Sequence, residues 1–261
     1  QAAVEPDLVY PLLRGRDVRR WHAEPSAHII LTQDPETRQG IPESVMKITY
    51  RKTYGYLKQF EGNPKNPERG TLRGRSGYRK YFKPTDPFYS MFNVGPYTMA
   101  RWKVVWREQS ALFQAAAIDG EDKRPIIPDH KLMLVPCKSG RETCFLAAVL
   151  NSSPSLLVIR SYSISTSTST HVLENVAVPQ YDPSSENHQR IALLSKRCHD
   201  AAAKGDLDTV AALESEIDQA TAELWGITDD ELRAIQDALL ELPQPQGDNS
   251  GDDEMEDEDG E

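Results

Sequence analysis

The feature that most constrains this 261-residue chain is a change of hydrophobic period near residue 185. Before it, apolar residues come in short β-prone runs: Ala27–Leu31, Lys103–Arg107, Lys131–Val135 and Asn175–Gln180. After it, Ile191, Leu194, Cys198, Val210, Leu213, Ile217, Ala220 and Leu224 recur at spacings of three and four. Only an amphipathic helix places such residues on one face. Gly205 interrupts the pattern once, which predicts a helical hairpin. Thr228 and Glu231 stand at capping-box spacing before a last helix that Pro243 ends. The first part also holds helical segments, from Pro42 to Lys58 and from Arg141 to Asn151, with Ser155–Arg160 continuing or starting another. Ser110–Ala117 fits either a short helix or more sheet, and Ser161–Thr170 is β-prone. The expected fold class is therefore α/β of the α+β kind. A mixed, twisted sheet domain over 1–183 is braced by a helical hairpin and final helix over 184–242. Residues 243–261 form an acidic tail too poor in apolar groups to fold.

The net charge of −10 conceals a strong asymmetry. From Lys47 to Arg107 there are fourteen Lys or Arg against three acids, a local balance of +11. From Gly247 to Glu261 there are nine acids and no base. A basic centre beside a solvated acidic end points to a polyanionic partner for the centre. The same centre holds the most aromatic stretch, Tyr78–Glu108, with nine rings. Cations alternate with rings there, as in surfaces that neutralise phosphates and stack on bases. The competing reading is a half-buried sheet with rings inside and cations in water. Asn93-Val94-Gly95-Pro96 is expected to turn the chain between two extended runs. The candidate polyanion-contacting residues are Arg73, Arg75, Tyr78, Arg79, Lys80 and Lys83, with Arg101, Lys103 and Arg107 behind them. Near the start, Leu13-Arg14-Gly15-Arg16-Asp17 suggests a turn, with Asp17 capping a short helix after it.

Catalytic and metal-binding residues are not assigned. The chain lacks GxxxxGK[ST], GxGxxG, HExxH and GxSxG patterns. Its six histidines have no metal-ligand spacing, and its three cysteines, Cys137, Cys144 and Cys198, show no CxxC pair. Asp129-His130 and Ser169-Thr170-His171 are the nearest approaches to acid–base or nucleophilic groups. Asp86-Pro87 reads as a turn. No apolar run reaches the ~20 residues of a membrane helix, and the opening residues do not form a signal peptide. A cytoplasmic location and a chain cut from a longer one are the expectations, the latter because Gln1 replaces an initiator Met.

Several segments, taken in order, resemble the specificity region of adenine-specific DNA methyltransferases with a TaqI-like target recognition domain. Such enzymes serve restriction–modification or phage-exclusion systems. The segments are Tyr10–Val18 with Trp21, Lys103–Arg107, Ile127–Lys131, Leu146–Ser153, and Ser169–Asn175 leading into Val178-Pro179. The resemblance spans about residues 8–240. It implies duplex DNA as partner, with Lys131 and His171 as scaffold positions. It also implies an N-terminal methyltransferase domain, in cis or as a separate chain, carrying S-adenosylmethionine; no cofactor is assigned to the residues present. Protein docking through the C-terminal helices is the alternative, and a hydrolase around His130 or His171 a third.

Overall fold

A computed structural model describes residues 3–110, 112–120, 124–162 and 174–242. The expectations for Ser161–Thr170 beyond Tyr162, for His171 and for the acidic tail lie outside these residues. The fold is α+β, and the chain divides into two compact units. Unit 1 takes residues 3–11 and 28–99 of those described, and unit 2 takes residues 12–27 and 100–242.

Unit 1 is held by aromatic packing rather than by a large sheet. Its elements are the first half of β1 (Val9–Leu13), most of β4 (Ala27–Ile30), the hairpin β5 (Gln33–Asp34) and β6 (Gln39–Gly40), and three short helices. These helices are α1 (Glu43–Ile48), α2 (Arg51–Lys58) and α3 (Ser76–Tyr81). The helix expected from Pro42 to Lys58 is thus broken in two, at Thr49 and Tyr50. No side chain within α2 caps it; the Glu5 carboxylate accepts the Lys52 and Thr53 amides at 2.9 and 2.7 Å instead. Burial raises that carboxyl, but these bonds and the Thr53 hydroxyl outweigh it and hold it down at about 2. Leu8, Met46, Phe88 and Tyr89 form the core, with Tyr54 edge-on to both Phe88 and Tyr89.

The aromatic stretch departs from expectation here. It does not begin as an extended run: Tyr78–Tyr81 belongs to α3, and residues 82–99 follow without a strand. Asn93 does take up a turn conformation, at φ 61°.

Unit 2 is built on an antiparallel sheet in the order β10 (Leu132–Pro136), β7 (Lys103–Arg107), β8 (Ala115–Ile118). Strand β7 is central, which suits its run of β-branched and aromatic residues, and Val104, Val105 and Trp106 are fully buried. Of the segment Ser110–Ala117, residues 115–117 are strand, within β8, and residues 110 and 112–114 form no helix. A small hairpin of β2 (Val18–Arg19) and β3 (His22–Ala23) turns at Trp21, and β9 (Ile127–Pro128) runs parallel to Leu12 and Leu13. No helix follows Asp17 for it to cap, because strand β2 begins at Val18. Its carboxylate accepts the Arg14 and Ser26 amides and ties down the preceding turn.

Helices α4 (Gly140–Asn151) and α5 (Ser153–Tyr162) precede α6 (Glu186–Ala203), α7 (Leu207–Trp225) and α8 (Asp229–Glu241). The expected hairpin is present: Gly205 sits at φ 73° between α6 and α7, and Thr228 and Glu231 cap α8 reciprocally. The apolar stripe is spent internally. Ile191, Leu194, Cys198, Val210, Leu213 and Ile217 share one core with Trp106, Phe145 and Ala115. Asn175–Gln180 is not a strand; Trp225 donates to the Ala177 carbonyl at 2.9 Å, and Val178 folds back on Val176.

The outer edge of β8 needs partners, as any edge strand does. Two side chains supply them. Ala115 N–H donates to Asn151 Oδ1 at 3.0 Å while Asn151 Nδ2 donates to the Ala115 carbonyl at 2.8 Å. Ala117 N–H donates to His199 Nε2 at 2.8 Å. With Nε2 accepting, Nδ1 carries the proton and donates to Ser195 O at 2.7 Å. Burial lowers the His199 pKa and keeps the ring neutral.

Candidate nucleic-acid interface

The expected contact residues fall in both units, and their environments differ sharply. In unit 1, Arg73 is committed internally. Its guanidinium holds Glu61 Oε1 at 2.9 and 3.0 Å, with side-chain exposures of 11% and 12%. It also donates to the Tyr78 hydroxyl and to the Pro84 carbonyl. Burial raises the Glu61 carboxyl, but bonds from Lys58 and Arg73 outweigh that and leave it below its usual range. Arg75 is likewise a clamp: it donates to the carbonyls of Leu72, Phe88 and Ser90, and burial depresses its pKa. Tyr78 is buried, with its hydroxyl 2.8 Å from the Asp86 carbonyl.

Arg79, Lys80 and Lys83 are exposed. The internal work of Arg73, Arg75 and Tyr78 fixes the backbone that presents them. Asp86 adds to this by accepting the Lys83 amide at 2.8 Å, so Asp86-Pro87 is a turn as expected. Lys80 lies over the Tyr81 ring at 5.3 Å.

In unit 2, Lys103 corrects the expectation of a surface cation. It is fully buried, and its amine donates to the Ile126 carbonyl at 2.8 Å. Burial pushes its pKa down to about 7. Arg101 is exposed and Arg107 is half-buried. Asp129 is occupied in a turn, accepting the Lys131 amide at 2.6 Å beside exposed His130. Among the described residues, no three His, Cys, Asp or Glu side chains gather in a metal-binding group. No single helix among them is long and apolar enough to cross a membrane.

Lys83 lines a site that the sequence did not single out. A shallow cavity of about 500 Å³ is lined by Tyr81 and Lys83 from the α3 region and by Phe92, Asn93 and Tyr97 from the following loop. Arg38 and Gln39, from the β5–β6 hairpin, complete it. Tyr81 and Phe92 stack face to face, with centroids 3.5 Å apart and planes 6° from parallel, although they are 48% and 49% exposed. A contiguous exposed apolar patch is informative where a scattered exposed apolar residue is not. Gly95 leaves room for the neighbouring groups. A Cβ there would fall 2.8 Å from the Tyr97 ring and 3.4 Å from Arg38 Nε. The sequence placed Tyr81, Phe92 and Tyr97 in the aromatic stretch. Nothing local marked Arg38 or Gln39 as their neighbours.

No family model matches this sequence, and a search of the curated proteins finds no match. Among solved structures the chain is similar to the Type IIL restriction-modification enzyme MmeI, whose structure was determined in complex with DNA. Identity is 13%, the TM-score is 0.56, and the match covers 90% of this chain and 30% of that one. The likeness is one of fold: nearly all of this chain adopts the architecture of a part, under a third, of a restriction-modification enzyme.

Proposed function

We propose that this chain is the duplex-DNA recognition region of a restriction–modification enzyme, and that it directs adenine-specific methylation by a methyltransferase domain in the same polypeptide or a separate one. The observation that carries the reading is the fold match to an enzyme solved on DNA. The surface of unit 1 supports it with exposed Arg79, Lys80 and Lys83 beside an exposed pair of rings. An enzyme that methylates adenine within a duplex must turn the base out of the stack. A second body must then hold the duplex and choose the site, through phosphate contacts for position and base-edge contacts for choice. S-adenosylmethionine binding and methyl transfer are assigned to the methyltransferase domain, not to the residues present.

Gel-shift titration on duplex DNA at several salt concentrations tests this. Each phosphate contact gives a slope of about −0.9 in log affinity against log salt. K80A with K83A is expected to reduce the slope by about 2 and weaken binding on every sequence alike. Supplied with labelled S-adenosylmethionine and DNA, the chain by itself is expected to transfer no methyl group. An absence of duplex binding at low salt, or methyl transfer by the chain alone, contradicts the proposal.

A further inference from the structure

We infer that the β5–β6 hairpin is the base-reading element, with Arg38 and Gln39 inserted into the major groove as its specificity-determining pair. The inference rests on the DNA reading above and adds the residues that choose the sequence.

The hairpin is built to present these two residues. Asp34 Oδ1 accepts the Glu36 and Thr37 amides at 2.9 and 3.3 Å, and the Arg38 amide donates to the Asp34 carbonyl at 2.9 Å. The loop between the strands is thereby closed from within. Arg38 stands at φ 56°, the left-handed region that residues other than glycine seldom occupy. A buried residue holds it there. Gln33, 4% exposed, donates from Nε2 to the Arg38 carbonyl at 2.8 Å and accepts the Met91 amide on Oε1 at 2.9 Å. One amide side chain thus fixes both the strained residue and the loop carrying Phe92. Gly40 is pressed against Ser90 so closely that a Cβ would collide with Ser90 Oγ. Backbone strain retained by surrounding structure is a mark of functional positions.

The two side chains are chemically fit for the task. Arg38 and Gln39 are exposed, face the cavity beside Tyr81 and Lys83, and make no side-chain hydrogen bond or ion pair among the described residues. This contrasts with Arg73 and Arg75, whose guanidinium groups are consumed by the fold. Arginine reads guanine through O6 and N7, and glutamine reads adenine through N6 and N7, both in the major groove. That groove is wide enough for a two-stranded ribbon. Lys80 and Lys83 are then the phosphate contacts that set its register, and the Tyr81–Phe92 stack is an apolar wall against the duplex.

The test selects binding sequences from a randomised duplex pool with the full chain, wild type against R38A, R38K, Q39A and K83A. Wild type is expected to enrich a sequence containing a guanine and an adjacent adenine. R38A and Q39A should each lose preference at one position, by roughly 5- to 150-fold, the worth of one bidentate pair. R38K keeps the charge but not the fork, so it should keep affinity for unrelated duplex and still lose discrimination. K83A should weaken binding evenly and leave the preferred sequence unchanged. Replacing the enriched guanine by 7-deazaguanine should weaken wild type but not R38A. If R38A and Q39A select the same sequence as wild type while binding DNA, the assignment of this hairpin is overturned and the DNA reading stands. If wild type enriches nothing and binds no duplex, both fall.

Discussion

Asn151 offers a direct measure of how unit 2 closes its sheet. The residue is fully buried at the end of α4 and pairs with both backbone groups of Ala115. In N151A the Ala115 N–H loses its acceptor in a site that excludes water. The Ala115 carbonyl keeps one donor, the Trp21 amide at 3.3 Å. One orphaned buried donor costs about 1–3 kcal/mol. The better helix propensity of alanine returns at most about 0.7 kcal/mol. A net loss of about 1.3–2 kcal/mol corresponds to roughly 3–8 °C in melting temperature for a body of this size. All four tryptophans, at 21, 102, 106 and 225, belong to unit 2, so tryptophan fluorescence follows that unit alone. N151D sharpens the test. Its carboxylate still accepts the Ala115 N–H but sets a second oxygen against the Ala115 carbonyl. Protonation restores a donor there, so its folded pKa is raised above the ordinary value of about 3.9. The stability this gives is present below that value and is lost as pH rises through the folded pKa. The deficit of N151D relative to wild type therefore widens as pH is raised. A melting temperature for N151A within a degree of wild type, together with a deficit for N151D that does not change with pH, would refute this account of the edge.

Three further outcomes follow from the same structure. His199 is buried neutral with its pKa lowered, so its contribution is present above the unfolded value of about 6.5 and is lost as pH falls below it; urea midpoints by tryptophan fluorescence should decline from pH 7 to 5 in wild type, and an unchanged slope in H199N would count against it. E61Q should destabilise unit 1 by about 2–4 kcal/mol by leaving Arg73 without its charge partner, read by tyrosine emission or circular dichroism with the tryptophan transition unmoved. T228A should cost about 1 kcal/mol by removing the α8 cap, measured as a lower urea midpoint, and equality with wild type would show that this cap does nothing for stability.

Much of unit 2 was legible because its signals are local. Spacings of three and four along α6 and α7, the αL glycine between them and the capping box of α8 each lie within a few residues. Strand β7 was legible for the same reason. What failed was set by distant partners. The run before Asn93 reads as extended, yet the aromatic stretch opens in helix α3, and Arg73, Lys83 and Asp86 close around the Tyr78 hydroxyl. Asn175–Gln180 had strand composition, but the Trp225 indole takes the carbonyl that a neighbouring strand would need. The cations of the centre were plain in the sequence, but their availability was not. Nothing local told that Glu61 neutralises Arg73 from twelve residues away, or that Lys103 points inward. Nor did anything local mark Gln33 as reaching Met91, 58 residues on.

The Trp21 indole donates to Glu214 at 2.6 Å, across 193 positions of chain. On a ribosome adding about 5–20 residues per second, Trp21 waits roughly 10–40 s for that carboxylate to be made. Residues 28–99, which gather into unit 1 with the first few residues, are all synthesised during that interval. Vectorial synthesis therefore finishes the inserted unit while the host unit still has its earliest large side chain uncovered. Any chaperone that attends this chain at birth has a defined segment to shield, residues 12–27, until α7 emerges.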